Sequence, residues 1–152
     1  MGSYAFTGCT SLKAIDIPMK DADKIGASAF EGCTKLTEVT LKEGIQYISS
    51  ALFKGCAAEA ENGMTFRVKG DSTSNILPKS VQVIRSNAFQ EAKLDKIDLT
   101  NCDKMTEIEN YGFALAAIAE IKLPENLKKL DDYAFQGAVL TSIDIPSNCT
   151  EW

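Results

Sequence analysis

Five cysteines and three acidic clusters are the residues of this 152-residue chain with the most chemistry to offer. Thiolates bind soft metals, attack carbonyls or pair as disulfides. Neighbouring carboxylates share a proton or hold calcium. Neither set has the spacing these roles demand. The sequence has no histidine, so no Cys/His zinc site and no Cys–His or Ser–His nucleophile pair can be assembled. Cys9, Cys33, Cys56, Cys102 and Cys149 form no Cys-x-x-Cys, and their odd count rules out complete pairing within the chain. Asp131-Asp132, Asp21-x-Asp23 and the Asp103/Glu107/Glu109 group lack the roughly 12-residue frame of a calcium loop and read as solvated turn residues. There is no phosphate loop and no Gly-x-Ser-x-Gly elbow. The chain reads as no enzyme, with no catalytic residue, no metal and no cofactor.

Composition narrows the class further. Apolar residues make up 45% and charged residues 24%, a globular balance and not a disordered one. The net charge of −5 and the lack of a basic cluster argue against nucleic acid as a partner. No apolar run approaches the roughly 20 residues that span a bilayer, so no membrane insertion is expected. Met1-Gly2-Ser3-Tyr4 has neither a charged nor a long apolar stretch, so it does not read as a signal peptide.

What the sequence does carry is repetition. Phe6, Phe30, Phe53, Phe89, Phe113 and Phe135 are spaced by 24, 23, 36, 24 and 22 residues. Five positions before the last five stand Ile25, Ile48, Ile84, Ile108 and Leu130, and eight before stand Ala22, Ile45, Val81, Met105 and Leu127. Such offsets mark these phenylalanines as structural core and the chain as a stack of similar coils. After each phenylalanine comes an apolar-polar-apolar triplet: Ile15–Ile17, Val39–Leu41, Phe66–Val68, Ile97–Leu99, Ile121–Leu123 and Ile143–Ile145. Period two is that of a half-buried strand, and strands this short need neighbours on both sides. Six of them, one per coil, predict a parallel sheet along a solenoid. Pro18, Pro124 and Pro146 follow three of the strands and turn the chain out of the sheet. Cys9, Cys33 and Cys56 share one column, where side chains point the same way and not at each other, so they read as buried free thiols. Cys102 and Cys149 fall in turns and read as more accessible.

The pattern Ile-x-x-x-Ala-Phe-x-Gly-Cys-x-x-Leu-x-x-Ile-x-Ile-Pro, fullest over Ile25–Leu41 and Leu130–Pro146, resembles the BspA-type leucine-rich repeat. The resemblance implies an α/β leucine-rich-repeat solenoid, mainly β, right-handed, with about six short parallel strands forming one face. It also implies a bacterial cell-surface or secreted protein that works by adhesion or protein recognition, with a host or neighbouring-cell protein as partner.

On this reading residues 1–152 are one domain of about six repeats, interrupted at 57–80. Met1 stands five residues before Phe6, and Cys149 and Trp152 repeat the offsets of Ile45 and Ile48, so both ends fall inside a repeat. The chain is therefore expected to be a fragment of a longer array, monomeric or weakly associated end to end. Within the interruption, Ala57–Gly63 favours a helical turn, and Lys69–Ser80 reads as a loop along one rim of the sheet. Function is expected at positions that do not repeat. The candidates for partner binding are Arg67, Lys69, Asp71, Lys96, Asp98, Glu120, Lys122 and Asp144. Stacking the strands sets Lys96 beside Glu120, Lys122 between Asp98 and Asp144, and, where the insertion keeps register, Arg67 beside Asp98. The alternative role is that of a structural spacer displaying another domain.

Overall fold

A strand of three residues leaves its backbone unsatisfied unless another coil supplies partners. Here each coil does so for the next. The computed structural model describes residues 1–18 and 25–152; Ala22, Asp21 and Asp23 lie outside them. The described residues form nine short strands and no helix: β1 (Ala14–Asp16), β2 (Glu38–Leu41), β3 (Tyr47–Ile48), β4 (Thr65–Val68), β5 (Val83–Ile84), β6 (Lys96–Asp98), β7 (Glu107–Ile108), β8 (Glu120–Lys122) and β9 (Lys129–Leu130). All strand pairs are parallel. β1, β2 and β4 run side by side, β6 and β8 pair in turn, and β3, β5, β7 and β9 build a second sheet. The molecule is a β-solenoid.

The second sheet explains the aliphatic residues ahead of each phenylalanine. Ile48, Ile84, Ile108 and Leu130 are the buried halves of its two-residue strands. The chain then turns through a tight arc with the phenylalanine at its centre. Two residues before and two after that phenylalanine the backbone is left-handed, as at Ser28 (φ 56) and Gly32 (φ 71) around Phe30. Glycine meets this demand without strain at Gly8, Gly32, Gly55 and Gly137. Glu91 (φ 59) and Leu115 (φ 57) hold the same place in the fourth and fifth coils. These arcs are also laddered between coils, as where the Phe30 amide donates to the Leu52 carbonyl at 3.1 Å and the Phe113 amide to Ala134 at 2.8 Å.

Stacking identical arcs stacks the rings. Phe6, Phe30, Phe53, Phe89, Phe113 and Phe135 form one continuous column with centroid separations of 5.4, 5.9, 5.7, 4.9 and 5.3 Å. Phe66 of β4 meets Phe53 and Phe89 edge-on, at 5.3 and 5.7 Å. The four middle rings are fully buried. Phe6, expected in the core, is 39% exposed, and Phe135 is half-buried, because each has a ring neighbour on one side only.

Three further expectations are corrected. Ile143–Ile145 makes no ladder with β8, and Ile145 is 38% exposed. The segment has a strand neighbour on one side only, and Pro146 lacks an N–H to extend any pairing. The helical turn over 57–63 is absent, since Ala57 takes φ 57 and its amide bonds to the Cys33 carbonyl of the preceding coil. Cys102 and Cys149 are buried, and all five thiols are free. Burial pushes the Cys102 thiol up to about 12. The Cys56 thiol, held against Cys33 and buried, is also raised. Cys33 and Cys56 donate to the Phe6 and Phe30 carbonyls at 3.2 and 3.0 Å, so their column joins coils and does not merely fill space.

A mixed-charge cavity on the strand face

The interruption after β4 shapes this face. Past Gly70 (φ 87) the chain turns back, and Ser74 bridges antiparallel to Arg67. The Asn75 amide then donates to Phe66 at 2.7 Å, and the Asp98 amide donates to Asn75 at 2.8 Å. Ile76 bridges parallel to Asp98, and just ahead of β4 and β6 Met64 bridges parallel to Leu94. Ser74–Ile76 is thus a wedge that mends the sheet where the two strands splay. Ile76, Leu77 and Pro78 are buried, so only the first part of the expected rim loop projects. Apolar side chains at 76 and 77 draw the return into the core.

Beside the wedge, β6 and β8 alternate. Ile97 and Ile121 turn inward, and Lys96, Asp98, Glu120 and Lys122 turn outward. The register pairs Lys96 with Glu120 and Asp98 with Lys122, a checkerboard of opposite charges. Lys122 Nζ lies 3.6 Å from Asp98 Oδ2, and the Thr100 amide donates to Asp98 Oδ1 at 3.0 Å. Partial burial alone would raise the Asp98 pKa. The Thr100 hydroxyl and amide and the Lys122 ammonium outweigh it and hold the carboxyl below its usual range. No ion pair holds Lys96 or Glu120 among the described residues. These four side chains, with Thr73–Ile76 and Ile97, line a cavity of about 200 Å³. Asn75 sits at its edge, 7% exposed, with φ 62 and with no donor for its Oδ1.

The other expected site residues lie apart. Arg67 stands between Thr40 and Ser74, so it does not face Asp98; the wedge displaces that contact. Lys69 reaches across the face to Asp16, 3.0 Å away. Asp71 accepts the Thr73 amide at 2.8 Å, a bond that lowers its pKa and closes the loop. Asp144 lies across a second cavity of about 420 Å³, which it shares with Lys122 and Thr100. Asn75 and Ile76 were missed as site residues, although the apolar pair Ile76-Leu77 inside a polar loop was a signal. Glu107 and Glu109, expected to be merely solvated, instead tie coils of the second sheet. Glu107 meets Lys129 at 3.0 Å, and Glu109 accepts from the Ser86 amide at 2.8 Å and meets Arg85 at 3.3 Å. Arg85 also lies 4.5 Å over the Tyr47 ring. Among the described residues no cluster of three acidic or thiol side chains is placed to hold a metal. No helix there is long and apolar enough to cross a membrane.

Coils of this length, with short parallel strands and a phenylalanine ladder, define a leucine-rich-repeat solenoid. Six copies of the BspA type leucine rich repeat region match residues 1–66 and 63–152. The chain belongs to the BspA-type leucine-rich repeat family. No curated protein matches it significantly. A solved leucine-rich repeat protein from Bacteroides ovatus shares the fold with a TM-score of 0.66 at 24% identity. That match covers 98% of this chain and 41% of the other, so the chain spans less than half the length of its solved relative. Family and fold mark a repeat module, a class that typically binds proteins and is typically non-catalytic.

Proposed function

We propose that residues 1–152 act as one non-catalytic, protein-binding module of a surface or secreted repeat protein, used in adhesion to a host or neighbouring-cell protein. The observation that carries this reading is the cavity where the Ser74–Ile76 wedge breaks the repeat and four outward charges converge. Binding faces of repeat proteins are commonly built from such departures from the repeat. Core positions, by contrast, serve only the stack. The test is a binding screen of the chain against cell-surface and matrix proteins, with Lys122→Glu as the face-directed control. Binding that falls in the variant supports the module; silence across a broad panel removes it.

A second reading has its own observation. Lys69–Asp16 and Lys122–Asp98 neutralise charge within the face, as in a solvated spacer. Replacing residues 69–74 with a two-residue turn distinguishes the two. A spacer keeps every interaction of the parent protein, and a module loses at least one.

A further inference from the structure

We infer that the cavity between the Ser74–Ile76 wedge and strands β6 and β8 receives an extended peptide segment of the protein partner, one that carries a basic and an acidic side chain two residues apart. This rests on the protein-binding reading above and names what that face takes.

Size sets the first bound. Small-molecule sites enclose roughly 300–1,000 Å³. At about 200 Å³ this cavity suits one or two side chains of a larger partner. Charge sets the second. Asp98 and Lys122 hold each other, whereas Lys96 and Glu120 share a register on adjacent strands and have no ion-pair partner among the described residues. A ligand of one sign meets one attraction and one repulsion there. A ligand with both signs meets two attractions.

Chain geometry then fixes the spacing. Side chains two apart on an extended strand leave the same face, about 6.6–6.8 Å from each other. Neighbouring rungs of the sheet are about 4.8 Å apart, and the flexible stems of Lys96 and Glu120 span the difference. Ile76, whose small exposed part lines the cavity, gives the aliphatic part of a lysine stem something to lie on.

Asn75 is the independent sign that the site is unfinished. A buried amide oxygen without a donor is rare in a folded protein, because its lost hydration goes uncompensated. Asn75 Oδ1 is such an atom, in a residue that lines this cavity. The atom is buried, so a peptide N–H or a cationic side chain reaches it as the Asn75 side chain turns toward the cavity.

The test uses the whole chain, labelled for NMR, at low salt. The probes are acetyl-Lys-Ala-Glu-amide, acetyl-Lys-Ala-Lys-amide, acetyl-Glu-Ala-Glu-amide and acetyl-Ala-Ala-Ala-amide. The mixed-charge peptide is expected to move the Asn75 side-chain amide and the Ile76 and Ile97 signals, and to bind about fivefold more tightly than the others. Lys96→Glu should transfer the preference to the doubly basic peptide, and Glu120→Lys to the doubly acidic one. Both positions are exposed, so neither change threatens the fold. Equal responses to all four peptides, or preferences that ignore the substitutions, overturn the pocket. The same two variants go through the partner screen. A partner that binds all three proteins alike overturns the pocket and leaves the module standing. A silent screen beside peptide preferences that follow the charges keeps the pocket and removes the module.

Discussion

Phe113→Ala is the sharpest perturbation of the ring column. Phe113 is fully buried, with Phe89 at 4.9 Å on one side and Phe135 at 5.3 Å on the other. Burying such a side chain contributes about 1.5–3 kcal/mol. Each stacked pair adds about 0.5–1.5 kcal/mol. The void left behind cannot close, because the Phe89 amide is bonded to Gly112 and the Phe113 amide to Ala134 on the neighbouring coils. The expected cost is about 4 kcal/mol, within the range for buried phenylalanine truncations. For a chain of this length that is roughly 10 °C in Tm. Phe6→Ala is the internal control, since that ring is 39% exposed and has one stacking neighbour, so about 1–2 kcal/mol is expected. The assay is urea unfolding followed by circular dichroism. Coils contact only their neighbours, so the Phe113 variant should also broaden the transition as the coils on either side uncouple. Equal costs for the two variants, or a Phe113→Ala cost under about 1 kcal/mol, would refute the ring column as the main core element.

Four other outcomes are expected. Glu91→Gly should raise stability by about 1 kcal/mol, because Glu91 holds φ 59 on the surface and glycine meets that conformation without strain; an unchanged or lower Tm counts against it. Gly63→Ala should cost about 1–3 kcal/mol, since an added Cβ would lie 2.4 Å from both the Asp95 nitrogen and the Leu94 carbonyl carbon; chemical denaturation reads it. The Asp98 carboxyl is held below its usual range, so its contribution is present above the unfolded pKa of about 3.9 and is lost as pH falls through the folded value. Asp98→Asn should therefore flatten the acid limb of the stability–pH curve. Cys102, pushed up to about 12 by burial, should resist alkylation in the native chain at pH 8, while half-buried Cys9 reacts first; mass spectrometry of timed samples tests the order.

The ring column was legible because its period is long and its residue type is rare at other offsets. The first-sheet strands were legible because apolar-polar-apolar alternation survives even in three residues. β3, β5, β7 and β9 were not, since two residues are too few for any period to show. Their only trace was the aliphatic residue five places before each phenylalanine, which reads equally well as core in any conformation. The left-handed positions escaped for another reason. Tyr111, Ala51 and Leu115 carry no signature for φ above zero, and their conformation is imposed by the bonds of adjacent coils. The wedge escaped because loop composition describes Lys69–Ser74 well and says nothing about Asn75 and Ile76 returning to the sheet. Without that return Arg67 falls beside Asp98, and the cavity does not show.

Where the repeat holds, the side chain is spoken for. The phenylalanine ring, the strand aliphatics and the thiols of Cys33 and Cys56 each bond or pack to the next coil. A change there travels along the solenoid, since each coil is the template for its neighbour. The outward positions of β6 and β8 carry no such duty beyond the exposed Asp98–Lys122 pair, and surface substitutions of this kind cost within about 0.5 kcal/mol. On the proposed function, recognition and stability are carried by different residues of the same strands. Lys122 is where that separation can be tested most severely. It lines both the cavity of about 200 Å³ and the one of about 420 Å³, yet its ion pair to Asp98, at 3.6 Å, is solvent-exposed. Reversing its charge alters both cavities at once and leaves the phenylalanine column untouched. A Lys122→Glu chain that unfolds like the wild type but no longer binds its partner would place function on the face alone; a large fall in Tm would mean that face and core are not separable after all.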